Sequence, residues 1–558
     1  MKIRAVLLAT ALSAITANAA VAMPAQKAPF KKGSGNEVVI EPPVSHPDEQ
    51  PCVVNLYKKA QFGADNVYFL YKPPANCPGP YSTIVLSVDV SLDAGIQYDR
   101  TGTIWIGGVP LWFGTTAEPS PAVGPHWHFE RDITDYTSLL AGANTGYVLI
   151  ANYTNDQDTS IITSSAKLLF YPVPSGQTAP VVPDEIIPLA ADGGGTVALN
   201  SGTDTAAIDQ TLPTNIVSAN LDVFLESQSN DEFWYTCVPN NLSSELQSCG
   251  GGAFREGEIT VDGAPAGVAP VYPWIFTGGI DPYLWAPIPG VQTLNFKPFR
   301  VPLTPFAGVL SNGSISHQIA LSVYGANSYF SVTGALMLYL DHGGSQVTGS
   351  VTKNTLAAPM PNLKNTITSK NGTISGKLNT TATHDFEISG TLVTSAGSEK
   401  YTVKQKGSFA NDQKFDISNA DNIFVQDIKQ LTNTTVKTML EAPTGNVSQT
   451  DKYSYPVTVD IDQSPLDNGD IGVLTNIDQN FLHDVATTTS SGTTTSSLLD
   501  NTTTTDTLLY NSGGGFVGHQ DMSSSANYAT SDSSGNCFNR TLKAANNVLT
   551  SAKTGCKK

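Results

Sequence analysis

The sequence predicts an all-β protein in which two consecutive antiparallel sandwiches or jelly rolls are followed by an additional C-terminal β domain. Three observations predict it. Charged residues make up 14% of the chain and hydrophobic ones 40%, while Gly (48) and Pro (35) are abundant, the balance of a turn-rich β protein rather than a helical bundle. Short β-branched or aromatic runs recur along the first 340 residues, separated by Gly, Pro and Asp turns. At 558 residues, ordinary domain sizes give two to four units, each able to bury a core.

In chain order, residues 1–22 read as a secretory signal peptide: Lys2 and Arg4, an apolar run, then the small-residue frames Ala17-Asn18-Ala19 and Ala20-Val21-Ala22. An exported, secreted or periplasmic protein is the expectation. Residues 23–51, rich in Pro, Lys and Glu, read as a linker or arm. Strand-like runs at 66–71, 83–92, 102–106, 147–153 and 166–171 define a first unit over 52–180. The proline-punctuated stretch 172–188 interrupts the pattern, and runs at 216–225, 258–261, 299–303, 318–323 and 331–341 define a second unit over 181–343. From 344 to 558 the texture turns to Thr, Ser, Asn and Asp with alternating apolar positions, a further β domain containing a polar low-complexity stretch at 487–507.

Net charge is −18 with no basic cluster, which argues against a nucleic-acid partner. After the signal peptide no stretch is long and apolar enough to span a bilayer. Six cysteines in an exported chain favour disulfides over metal thiolates. Nearest-neighbour pairing gives Cys52 with Cys77, Cys237 with Cys249 and Cys537 with Cys556, among the many connectivities six cysteines allow. His126 and His128 have no third ligand at a recognisable spacing, so neither a metal nor another cofactor is expected. No nucleophile elbow or Cys–His arrangement supports triad chemistry.

All six tryptophans lie between Trp105 and Trp285, so chemistry is sought in the first two units. Asp99-Arg100, just before a strand, sets an acid able to activate water beside a guanidinium able to hold a substrate oxygen; a turn-capping Asp with a solvated Arg is the plainer reading. Asn230-Asp231-Glu232-Phe233-Trp234-Tyr235 mixes acids with aromatic faces, a combination that suits sugars as well as cross-strand packing. The glycines before Phe254-Arg255 allow close backbone approach to a ligand but lack a P-loop's Lys and Ser/Thr. The run 273–285, containing Trp274 and Trp285, either lines a pocket or plugs a sandwich end.

Several strings resemble the peptide N-glycanase A family of glycopeptide amidases: Trp105-Ile106-Gly107-Gly108, Thr116-Ala117-Glu118-Pro119, Arg131-Asp132-Ile133-Thr134-Asp135-Tyr136, Asp231-Glu232-Phe233-Trp234-Tyr235, Gly252-Ala253-Phe254-Arg255-Glu256, Ile275-Phe276-Thr277-Gly278-Gly279-Ile280 and Leu303-Thr304-Pro305-Phe306. The resemblance implies hydrolysis of the β-aspartylglucosamine amide of N-glycopeptides, converting Asn to Asp, with an acidic optimum. A more distant similarity to a flavobacterial glycanase implies two jelly rolls, with Asp99 of Asp99-Arg100 as the essential acid and a second-roll glutamate, matched to Glu232, as its partner. Glu118 is a further candidate, and Asn152 matches the position of an acid in that enzyme. On this basis Asp99, Glu232, Arg100 and Glu118 are the expected catalytic residues. Trp127, Asn152, Asp231, Trp234, Arg255, Trp274 and Trp285 are the expected substrate contacts, the tryptophans as walls stacking on inner sugars. A monomer acting on N-linked glycopeptide is expected; the alternatives are a glycan-binding protein without activity and a glycosidase using the same acids.

Overall fold

The computed structural model describes residues 30–190 and 194–556, so the signal-peptide reading lies outside the described residues. The first unit has eight strands: Cys52–Gln61, Val67–Tyr71, Tyr81–Leu92, Thr101–Ile106, Val109–Thr115, His126–Asp132, Asn144–Ile150 and Ile162–Pro172. Counted in that order they pair first-eighth-third-sixth in one antiparallel sheet and second-seventh-fourth-fifth in the other, the strand order of a jelly roll. Ile84, Leu86, Val88 and Val90 supply one inner face and Ile104, Ile106, Val148 and Ile150 the other, so alternate residues of each sheet meet in one core.

The second unit repeats this topology with Val197–Leu199, Ala206–Gln210, Ile216–Gln228, Glu256–Val261, Ala264–Pro270, Phe299–Pro302, His317–Tyr324 and Tyr329–Leu340. Glu185–Pro188, at the end of the proline-rich stretch, pairs with Tyr329–Leu340 and ties the connection to the second roll. The rolls meet through backbone as well as side chains: Phe296 N–H donates to Phe113 O and Thr115 N–H to Thr293 O, both at 2.9 Å. Phe113, Phe224, Trp274, Phe276 and Phe296 pack together across this junction. Arg300 forks onto Asp222 of the second roll (2.7 and 2.8 Å) and reaches Asp135 of the first (2.9 Å), fixing their relative orientation.

The C-terminal region is β throughout. Among the described residues it is one twelve-stranded antiparallel sheet without a second layer of its own, and its longest strands, Thr373–Thr394 and Gly397–Ser418, run 22 residues each. A single sheet has to bury one face against something else. Phe386, Tyr401, Val403, Phe409, Val436 and Val457 join the core of the second roll. Between them, buried amides answer loop carbonyls: Gln413 donates to Cys237 O (3.0 Å), Asn411 to Tyr235 O (2.8 Å) and Gln479 to Pro273 O (2.7 Å). The low-complexity Thr stretch falls largely in the strand Gly492–Tyr510, where alternate threonines and Asp506 face inward.

From residue 30 to the first strand the chain is an arm that stitches the three parts. Glu130 accepts from Val44 N–H, Glu41 pairs with Lys297 at 2.9 Å, and Arg540 donates to the carbonyls of Val39, Ile40 and Glu41. The cysteines are joined as Cys52–Cys77, Cys237–Cys249 and Cys537–Cys556.

Candidate active site

Four carboxyl side chains gather where the two rolls face each other. Asp99 stands just before the strand Thr101–Ile106, and Glu118 follows the strand Val109–Thr115 that pairs with it, so one hairpin of the first roll presents both. Asp99 N–H donates to Glu118 Oε1 at 3.2 Å, and the two carboxyls are themselves hydrogen-bonded. Glu226 and Glu232 come from the second roll, at the end of Ile216–Gln228 and just past it. Glu226 Oε1 accepts from Thr101 Oγ1 at 3.1 Å, a direct bond between the rolls, while its Oε2 is buried without a partner.

Burial dominates the electrostatics. Glu118 is pushed up to about 8, first by burial and then by the charge of Asp99. Glu226 rises to about 8 by burial, with Glu232 and Asp99 adding to it, and Glu232 to about 7 by burial and then Asp99. Asp99 is also raised by burial, but donors from Gly278 and Glu118 and the nearby Arg100 favour its anion. All four are pushed towards the protonated form, and Asp99 is the one whose anion the surrounding donors and Arg100 favour. Pairs of acids whose environments separate their titrations are the arrangement that supplies a base and an acid in one site.

The third wall is the loop carrying Gly278. Any side chain at Gly278 would collide with the carboxylate oxygens of Glu118 and Asp99, so glycine is required for the backbone N–H to reach Asp99. Ile280 holds φ +66°, a left-handed conformation costly for a β-branched residue, and the surroundings enforce it. Trp285 Nε1 donates to Gly279 O at 2.8 Å, and Thr277 Oγ1 to Thr116 O on the first roll at 2.5 Å.

The expected catalytic residues Asp99, Glu118 and Glu232 are brought together, and Arg100 is beside them. Arg100 pairs with no carboxylate; Gln97 Oε1 accepts from its Nε (3.1 Å) and Nη2 (2.6 Å), and the rings of Tyr98 and Tyr153 flank it. The expected substrate contacts are placed otherwise. Trp127 points into the first core from the alternating strand His126–Asp132, Trp234 is fully buried against Phe409, and Trp274 packs on Phe296. With Trp285 holding Gly279, none of these tryptophans offers a face to a sugar, because each large ring fills a junction between layers. Asn152 is buried and accepts from Gln97 Nε2 at 2.8 Å, acting on Arg100 at one remove. Asp231 is saturated by Arg255 (2.8 Å) and the backbone N–H groups of Asn327, Ser328 and Tyr329, and the Arg255 guanidinium is equally enclosed. Both side chains are enclosed and paired with each other beside Glu232. Glu226 escaped the sequence reading; its signal is an acid ending an otherwise apolar strand, on the same face as Asp222 and Phe224.

Comparison with known proteins gives the same direction. The family model described as peptide N-acetyl-beta-D-glucosaminyl asparaginase amidase A matches residues 42–357. The chain is 28% identical over 473 residues to peptide-N4-(N-acetyl-beta-glucosaminyl)asparagine amidase A of Prunus dulcis, covering 79% of each chain. Among solved structures it aligns with PNGase F, a glycosylasparaginase from Flavobacterium meningosepticum, at TM-score 0.33 and 12% identity, covering 52% of this chain and 96% of that one. PNGF-II aligns at TM-score 0.34 and 13% identity over 52% and 66%. The family match spans both jelly rolls and all four carboxyls, and the chain belongs to the peptide N-acetyl-beta-D-glucosaminyl asparaginase amidase A family.

Proposed function

We propose that this protein is an exported, monomeric amidase that hydrolyses the β-aspartylglucosamine bond of N-linked glycopeptides in acid, without a cofactor. The single observation that carries the reading is the meeting of Asp99 and Glu118 from the first roll with Glu226 and Glu232 from the second, closed by the backbone at Gly278. In the mechanism, Asp99 takes a proton from the attacking water as the oxygen bonds to the side-chain carbonyl carbon. Arg100, oriented by Gln97, faces the oxygen on which negative charge develops. Glu232 then gives its proton to the sugar-linked nitrogen, the C–N bond breaks, and the products are peptide aspartate and a glycosylamine that hydrolyses to glycan and ammonia. Glu118 keeps Asp99 oriented through their shared hydrogen bond, and Glu226, locked to Thr101, holds the second roll in register with the first.

The working range follows from the titrations: Asp99 must be ionised and Glu232, raised to about 7, protonated, so activity falls as pH rises through neutrality. The test is mass spectrometry of a defined N-glycopeptide incubated with purified protein in acid. Peptide returned about 1 Da heavier than its Asn form, with intact free glycan, is the expected result, since amide nitrogen is exchanged for oxygen. Release that leaves one glucosamine on Asn means glycosidase chemistry, and binding without release means a lectin-like role.

A further inference from the structure

The surface that faces the catalytic loop from outside the family match belongs to the C-terminal sheet. The strands Gly492–Tyr510 and Phe516–Asp532 form a hairpin whose tip is folded by Asn511, which accepts from the N–H groups of Gly513 and Gly515. Beside the tip, Tyr283 of the Gly278 loop lies flat on His519 (ring centroids 3.7 Å, 14° between planes) and near-parallel to Phe516 (6.0 Å, 13°). Tyr510 meets Phe516 edge-on, and Phe516 is 50% exposed. The assembly is anchored underneath. His519 Nδ1 and Asp506 Oδ1 lie 2.9 Å apart, Asp281 Oδ1 accepts from Tyr283 N–H at 2.9 Å, and the second oxygens of Asp281 and Asp506 are buried. Asn547 Nδ2 donates to the carbonyls of Tyr283 and Ala286, and Thr504 Oγ1 to that of Leu284. The shelf stands on the loop that meets the chemistry: Tyr283 is carried by the turn Pro282–Trp285, whose Trp285 Nε1 donates to Gly279 O, next to the Gly278 backbone that abuts Glu118 and Asp99.

We infer that the Tyr283–His519–Phe516 shelf is a pyranose-binding subsite of the catalytic cleft, contributed largely by the C-terminal sheet. The inference rests on the amidase reading for the identity of the cleft. A flat, half-open aromatic slab matches the C–H face of a pyranose, whereas an extended peptide needs a line of backbone donors and acceptors that this slab lacks. The buried tryptophans cannot take this part, and the shelf supplies the open ring face the expected walls were to provide. It also gives the long C-terminal strands a task at the site: they hold the Gly278 loop from behind and line the cleft in front.

The test compares wild type, Phe516→Ala and Phe516→Trp on an N-glycopeptide carrying a chitobiose core, with chitobiose binding to each protein followed by saturation-transfer NMR. The expected result is a KM raised about fivefold or more in Phe516→Ala with kcat kept, loss of the chitobiose transfer signal, and recovery of both in Phe516→Trp. Unchanged KM and transfer in Phe516→Ala, or a loss confined to kcat, overturns the subsite. A wild type that binds chitobiose through Phe516 but converts no Asn to Asp refutes the amidase reading and leaves the subsite standing.

Discussion

Asp222 and Glu226 lie on the same face of one strand, four residues apart, and the protein treats them oppositely. Asp222 meets the Arg300 fork at 2.7 and 2.8 Å, and its charge is spent holding the rolls together. Glu226 is equally buried but receives only hydroxyl and amide partners, leaves one oxygen unpartnered, and rises to about 8. The same contrast separates adjacent Asp231, closed off by Arg255 and three backbone donors, from Glu232, raised to about 7. Acids met by an Arg or by several backbone donors build the frame; those without such partners are pushed towards the protonated form.

The largest expected effect comes from Asp99, the acid proposed as the general base. Asp99→Asn should lower kcat by about 10³-fold, within the range general-base losses span, while the melting temperature stays at or above wild type. Glycan release followed by chromatography, beside a thermal melt, checks both. A stability loss of equal size would put Asp99 in the frame instead. For the frame acids the pattern should invert. Asp222→Asn leaves Arg300 facing one fewer carboxylate and should cost about 3 kcal/mol in urea unfolding, with kcat of the folded fraction near wild type.

This inversion explains what was legible in the sequence. The Asp-Arg pair before a strand pointed to Asp99, and Glu118 came only through the resemblance carried by Thr-Ala-Glu-Pro; one hairpin presents both. The strands at 83–92 and 216–225 were legible from β-branched runs, while Val109–Thr115 was not, because burial on both faces removes the alternation. Composition does not say which face a ring turns to; Trp274 turns to the junction of the rolls and Trp127 into the first core. The single-layer C-terminal sheet was hidden for a related reason. Its alternation reveals one buried face but not that another unit's core is what covers it.

The smallest effect is the most discriminating for Glu226. A carboxyl whose folded value lies near 8, against about 4.3 unfolded, lends stability that is complete below the unfolded value and is lost as pH climbs to the folded one. Glu118, Glu232 and Asp281 share this sign, so wild type should melt higher at pH 5 than at pH 8. Glutamine at 226 cannot ionise but still accepts from Thr101. Glu226→Gln should therefore match wild type at pH 4, exceed it by about 1 kcal/mol or more at pH 8, and show a shallower decline between. Parallel melting curves for the two proteins from pH 4 to 8 would place Glu226 among the frame acids with Asp222, and the division drawn along that strand would fail at its central case.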